Sequence, residues 1–183
     1  MISEESPRNL FGATATSFLD NQYERMGLAN MGVDKDDFMS NIFKFAQNTR
    51  GIESDNNPYA ASNQSTAKGV YQFTDASVDT GRQRMLNMGF DPEIARNIPQ
   101  DPRDWSDEDA DAMFLANIFA QKGSDDYLYR VGIGEPGADR DAYYKFHHTD
   151  PDQATMNRAN QFFSKSVQDE IMESNANLEN AFK

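Results

Sequence analysis

Apolar residues recur at helical spacing along most of this chain. Phe38, Ile42, Phe45 and Ala46 fall at i, i+4, i+7 and i+8, the one-sided stripe of an amphipathic helix. Asp34 or Asp36 stands where a side-chain oxygen can cap the first turn. Gly51 is the expected stop, which brings Glu53 to the last turn or just beyond it. A second helix is expected from Asp75 through Val78, Arg82 and Met85, closed by Gly89. Asp91-Pro92 opens a short third that ends by Pro99. Ser106 and Asp109 make a capping-box-like start for the run Ala110, Met113, Phe114, Asn117, Ile118 and Gln121, which Gly123 stops. Asp139 to His147 form another helix. The last is opened by Asp150-Pro151, proline at a first helical position, with Ala154, Ala159, Phe162 and Phe163 turned inward.

Between these elements, residues 54–74 are rich in Asn, Ser, Gln and Gly and read as loop with short extended pieces. Residues 132–137, Gly-Ile-Gly-Glu-Pro-Gly, are a second loop. The fold class is therefore mainly α: an irregular helical bundle with at most a small β-hairpin, placed between Ser62 and Phe73. Residues 1–35 are punctuated by Pro7, Gly12, Gly27 and Gly32 around one short helix from Ala15 to Met26, whose apolar face is Phe18, Leu19 and Tyr23. They read as an N-terminal extension, a segment that docks on the domain or on a partner. The domain itself is expected over 36–183. No internal repeat or low-complexity tract interrupts it.

Composition narrows the function. The 183 residues are long enough for one domain with a working core plus an extension. Thirteen Phe and seven Tyr supply bulk that the aliphatic content lacks. A net charge of −13, with no cluster of Lys and Arg, argues against nucleic acid as a partner. With no cysteine there is no disulfide, thiolate nucleophile or Cys-ligated zinc. Acidic residues stand at the start, Met1-Ile2-Ser3-Glu4-Glu5, where a signal peptide would carry basic ones. No run approaches the length of a membrane span. The expectation is a protein made in a cytoplasm without a signal peptide.

One stretch carries chemistry. Glu53 stands at the end of an apolar helix, followed by a polar loop with a proline, then a glycine, then a glutamine between aromatic residues. A glycosidase cleft of the lysozyme type needs an acid on a rigid element, with amide and aromatic groups opposite to hold a sugar ring. Ile52, Tyr71 and Phe73 are the apolar neighbours expected to desolvate the acid.

The blocks Glu53-Ser54, Asn57-Pro58-Tyr59-Ala60-Ala61-Ser62 and Gly69-Val70-Tyr71-Gln72, with Ala142-Tyr143-Tyr144 far downstream, resemble the motifs of lytic transglycosylase domains of the soluble-lytic-transglycosylase kind, relatives of goose-type lysozyme. The resemblance spans residues 36–165. It departs from the family at Tyr71, where Met is common, and at Tyr144, where Asn is usual. It implies a lysozyme-like fold, Glu53 as the catalytic acid and then base, and a Gly69–Gln72 turn lining the cleft with Gln72 on the substrate. It implies further that Ser54 and Ser62 orient the acid or its loop, and that a distal tyrosine faces Glu53 across the cleft. Tyr143 and Tyr144 compete for that place, the other packing in the core. Tyr71 is carried over as a substrate contact.

His147 and His148 sit near the end of a helix, about 100° apart around its axis. They are a poor pair for one metal ion, so no metal and no cofactor is expected, with His147 close to the cleft. Asp55, Asp75 and Asp79 are the candidates for a second carboxylate, or are loop and cap residues. The expected function is a peptidoglycan-cleaving lytic transglycosylase that yields a 1,6-anhydro product. The expected setting is a phage particle that opens the cell wall locally, with residues 1–35 available for other virion proteins. The alternatives are a hydrolytic muramidase of the same fold and a structural virion protein with a weakly active or inactive lysozyme-like domain.

Overall fold

Helix α2, Lys35–Ser54, is the spine of the molecule. Its N-terminus is capped by Asp34, whose carboxylate accepts the Asp37 amide at 3.0 Å. Phe38, Met39, Ile42, Phe45, Ala46, Thr49 and Ile52 form its buried face. Each such large apolar side chain contributes about 1.5–3 kcal/mol by leaving water. The structure, a computed structural model, describes residues 11–163 and Asn175. The acidic start Met1–Glu5 and the last residues of the expected domain lie outside the described residues.

Around α2 stand α1 (Ala13–Arg25), α3 (Asp75–Asn87), α4 (Pro92–Asn97), α5 (Asp107–Phe119), α6 (Ser124–Gly132), α7 (Ala138–Phe146) and α8 (Gln153–Phe162). The fold is mainly α, and among the described residues there is no strand. The expected hairpin is reduced to two isolated antiparallel bridges, Ala61 with Lys68 and Lys68 with Phe73. A loop this rich in Ser and Asn spends its polar groups on local turns, as Ser62 and Ser65 do with the amides of Gln64 and Ala67.

Helix α5 fills the middle. Every residue from Ala110 to Phe119 is buried, Asp111 and Asn117 included, as expected of a helix apolar nearly all round. Its capping box is real: Ser106 takes the Asp109 amide and Asp109 takes the Ser106 amide. Helices α1 and α3 lie against α5, and α6 and α8 against α2. Phe18 of α1 stacks on Phe90 at 4.6 Å and meets the edge of Phe119 at 5.5 Å. The described part of the N-terminal extension thus shares the core with the domain instead of standing apart from it.

Three local expectations change. Gly51 does not stop α2: it lies inside the helix, where a Cβ would stand 2.5 Å from the Phe162 ring of α8. Its small size serves packing, and the stop falls to Asp55 and Asn56, both left-handed. The last helix is capped not by Asp150 with Pro151 but by Asp152, which accepts the Thr155 amide at 2.7 Å. The pattern assigned no element to 124–131, yet α6 is there. Only Leu128 and Val131 are large apolar residues on its buried face, and its start at Gly123 has no side-chain cap to mark it. Among the described residues, no helix is long and apolar enough to cross a membrane.

Candidate active site

Glu53 lies in the final turn of α2, and that turn is gripped from three sides. The amide of Asp55 returns to the Gly51 carbonyl at 3.0 Å and that of Asn56 to Arg50 at 3.3 Å. From α8, Arg158 donates to the Gly51 carbonyl at 3.0 Å and to the Asp55 carboxylate at 2.9 Å. Ser54 Oγ lies 3.1 Å from the Arg50 carbonyl and 2.9 Å from that of Val70, sharing its one proton between the helix and the loop opposite.

The Glu53 side chain is only 10% exposed. The Tyr143 hydroxyl, from α7, donates to Glu53 Oε1 at 2.6 Å. Burial, then the nearby Glu53 carboxylate, pushes the Tyr143 phenol far above its ordinary range, so it remains a donor at any working pH. His147 Nε2 is 3.1 Å from the Tyr71 carbonyl and 3.7 Å from Glu53 Oε1. A carbonyl only accepts, so Nε2 carries the ring proton and Nδ1 is left as an acceptor. Burial lowers the pKa of His147, with Glu53 pulling the other way, and the ring is neutral.

That neutrality sets a pH dependence. Unfolded, His147 takes up a proton near the ordinary value of about 6.5, whereas the folded ring resists until lower pH. In that window the unfolded state binds more protons, so His147 makes stability fall as pH drops, by at most about 1.4 kcal/mol per pH unit. Urea midpoints taken between about pH 7.5 and pH 5.5 are expected to fall more for wild type than for His147→Gln. Parallel lines would show that the folded ring takes up its proton as readily as the unfolded one.

Glu53, Gln72 and His147 face a groove of about 540 Å³, within the range of small-ligand sites. The rest of its lining is mostly uncharged and polar: hydroxyls of Ser62, Ser65, Thr74 and Ser77, and the amide of Asn117. Phe73 gives it an apolar surface, and Thr149 and Asp150 complete one end of the contributing sequence. Gln72 is held in a left-handed conformation (φ 52°), its side-chain amide donating to the Gly69 carbonyl at 2.8 Å. That leaves the side-chain oxygen of Gln72 to the groove.

The structure thus brings Glu53, Ser62, Gln72 and His147 together, with Tyr143 behind the acid. Five expected contacts are not in the lining, and Tyr143 is one of them: fully buried, it meets Glu53 and not the groove. Tyr71 is 1% exposed, stacked on Phe114 at 4.3 Å, with its hydroxyl on Asp111 at 2.6 Å. Ser54 ties backbone to backbone and does not bond the Glu53 carboxylate. Gly69 (φ +75°) backs onto Pro102, whose carbonyl oxygen would lie 2.8 Å from a Cβ. Tyr144 packs at the margin of the core, 5.3 Å from the Tyr143 ring. Of the two competing tyrosines, Tyr143 reaches the acid because residues 143 and 144 point about 100° apart on a helix. The carboxylates of Asp55, Asp75 and Asp79 are engaged with Arg158, Lys68 and Gln100.

Several lining residues escape sequence reasoning: Thr74, Ser77, Asn117, Thr149 and Asp150 are common polar types in loops or caps, and nothing in their spacing marks them. His148 joins His147 in the lining. Among the described residues, no three His, Asp or Glu side chains gather as metal ligands. Compared with known proteins, the chain matches no family model, no curated protein and no solved structure.

Proposed function

We propose that this chain is a peptidoglycan-cleaving lytic transglycosylase with Glu53 as its single acid and base. The observation that carries the reading is the 2.6 Å hydrogen bond from Tyr143 to Glu53. It joins two sequence blocks ninety residues apart in the pairing that the resemblance implies, beside a groove of hydroxyls and amides suited to a neutral sugar.

The arrangement divides the work within the carboxyl group. Tyr143 occupies Oε1, so the proton of the acid form sits on Oε2. Glu53 gives that proton to the bridging oxygen as the bond from that oxygen to C1 of N-acetylmuramic acid breaks. The carboxylate so formed takes the proton of the sugar's own C6 hydroxyl, and that oxygen closes on C1. The proton count returns to its start and no water is consumed. Neutral His147 adds no second charge beside Glu53 as the acid gives and takes its proton.

Asp150 favours a second reading. It is the other carboxylate in the lining and could hold a water for hydrolysis, which would make the enzyme a muramidase. Product mass separates the two. Digestion of purified peptidoglycan is expected to release anhydro-muropeptides, one water lighter than hydrolytic products. Reducing-end products alone would move the enzyme to the muramidases. No products from folded protein would favour a structural virion protein. A virion that opens the wall locally is the setting we infer for an acidic protein of this kind.

A further inference from the structure

We infer that Tyr71, anchored by Asp111 and Arg50, is a positioning residue for Glu53, acting through His147 and never touching substrate. The inference rests on the Glu53-centred reading above.

Two successive carbonyls of the loop facing the acid are in use. That of Val70 accepts from Ser54, the neighbour of Glu53 in sequence, and that of Tyr71 accepts from His147. Where this loop sits relative to α2 therefore decides where the His147 ring stands, and that ring is 3.7 Å from Glu53. What holds the loop is the Tyr71 side chain. Its ring lies flat on Phe114, with an interplanar angle of 5°, and its hydroxyl donates to Asp111 Oδ1 at 2.6 Å. The same oxygen accepts from Arg50 at 3.3 Å, and Arg50 reaches Asp107 at 2.6 Å. Arg50 belongs to α2, three residues before the acid, and its own carbonyl lies against Ser54. A closed circuit of contacts runs from α2 through α5 and the loop back to α2.

Packing alone does not call for this circuit. Phenylalanine at 71 would stack on Phe114 equally well, and a buried carboxylate with a guanidinium is often no more stable than apolar residues of the same volume. A directional hydrogen bond instead fixes the rotation and depth of the ring, and with them the position of the carbonyl behind it. Such precision matters where a displacement of about 1 Å can cost 10²-fold in rate.

Tyr71→Phe keeps the stack and removes only the hydroxyl. Two readouts decide. In the ¹⁵N-resolved spectrum of the His147 ring, wild type is expected to give one tautomer with the proton on Nε2, and Tyr71→Phe a mixture. In peptidoglycan digestion, kcat is expected to fall about 10-fold with KM unchanged and the far-UV circular dichroism intact. A single unaltered tautomer with unaltered kcat in folded Tyr71→Phe overturns the inference. If Tyr71→Phe fails to fold, Asp111→Leu, which keeps the volume and leaves the Tyr71 hydroxyl without its acceptor, is read the same way. Should wild type itself cleave nothing, the catalytic reading of Glu53 fails, while the tautomer still decides whether Tyr71 sets the ring.

Discussion

Glu53→Gln is expected to lower peptidoglycan cleavage by about 10²–10⁴-fold, the range lost with a general acid–base group, and to leave the protein as stable as before or more so. Glutamine keeps the length and shape of the side chain, and its amide oxygen can still accept from Tyr143. What it lacks is a proton to give and a place to take one back. Stability is spared because glutamine fills the same space, still accepts from Tyr143 at the place of the 2.6 Å bond, and leaves no unpaired charge in the nearly buried site. Thermal unfolding and product yield, measured on the same preparation, check both halves. Activity within 10-fold of wild type in folded Glu53→Gln would sink the assignment of Glu53.

The second large effect falls on stability. Arg50→Met is expected to cost about 3–5 kcal/mol, the loss seen when one partner of a buried pair is removed. For a domain of this size that lowers Tm by roughly 6–20 °C. Asp111 is then left buried, with only the Tyr71 hydroxyl to hold it. Burial pushes the Asp111 carboxyl up, against the pull of Tyr71 and Arg50. Without the guanidinium, the group escapes by taking a proton in the folded state. A carboxyl whose folded pKa is raised destabilises as pH rises, so the deficit of Arg50→Met is larger near pH 8 than near pH 5. The triple change Arg50→Met, Asp111→Leu, Tyr71→Phe replaces the polar circuit by apolar groups and is expected to recover most of the loss. Equal denaturation midpoints for wild type and Arg50→Met would show that Asp111 is not held by this partner.

How much of this was legible in the sequence differs from element to element. Helix α2 could be read because its apolar residues keep a clean period after an explicit cap, Asp34, and α5 because a long apolar run follows the explicit box of Ser106 with Asp109. Helix α6 could not, since its nine residues are a short stretch and its start at Gly123 has no side-chain cap to mark it. Gly51 looks like a terminator in one dimension; only the arrival of Phe162 from α8 shows it to be a packing glycine. Glu53 was legible as a candidate because it follows an apolar stripe and precedes a polar loop. Its contact with Tyr143, and not Tyr144, depends on the register of a helix ninety residues away. Tyr71 misleads for a related reason. Its place beside Gln72 suggests the cleft, but successive residues of a turn face opposite ways, and the one facing inward finds Phe114 and Asp111. The one local sign of that circuit is a charge inside an apolar run, Asp111 between Ala110 and Ala112.

The grip of α7 and α8 on the turn that carries Glu53 has a bearing on when the site comes into being. A chain synthesised only through α6 holds the acid but neither the phenol that engages it nor the imidazole beside it. The clamp of Arg158 and Phe162 on Gly51 would also be missing. The surroundings of Glu53 are therefore complete only once α7 and α8 have emerged, and a product truncated before them carries Glu53 without Tyr143, His147 or Arg158.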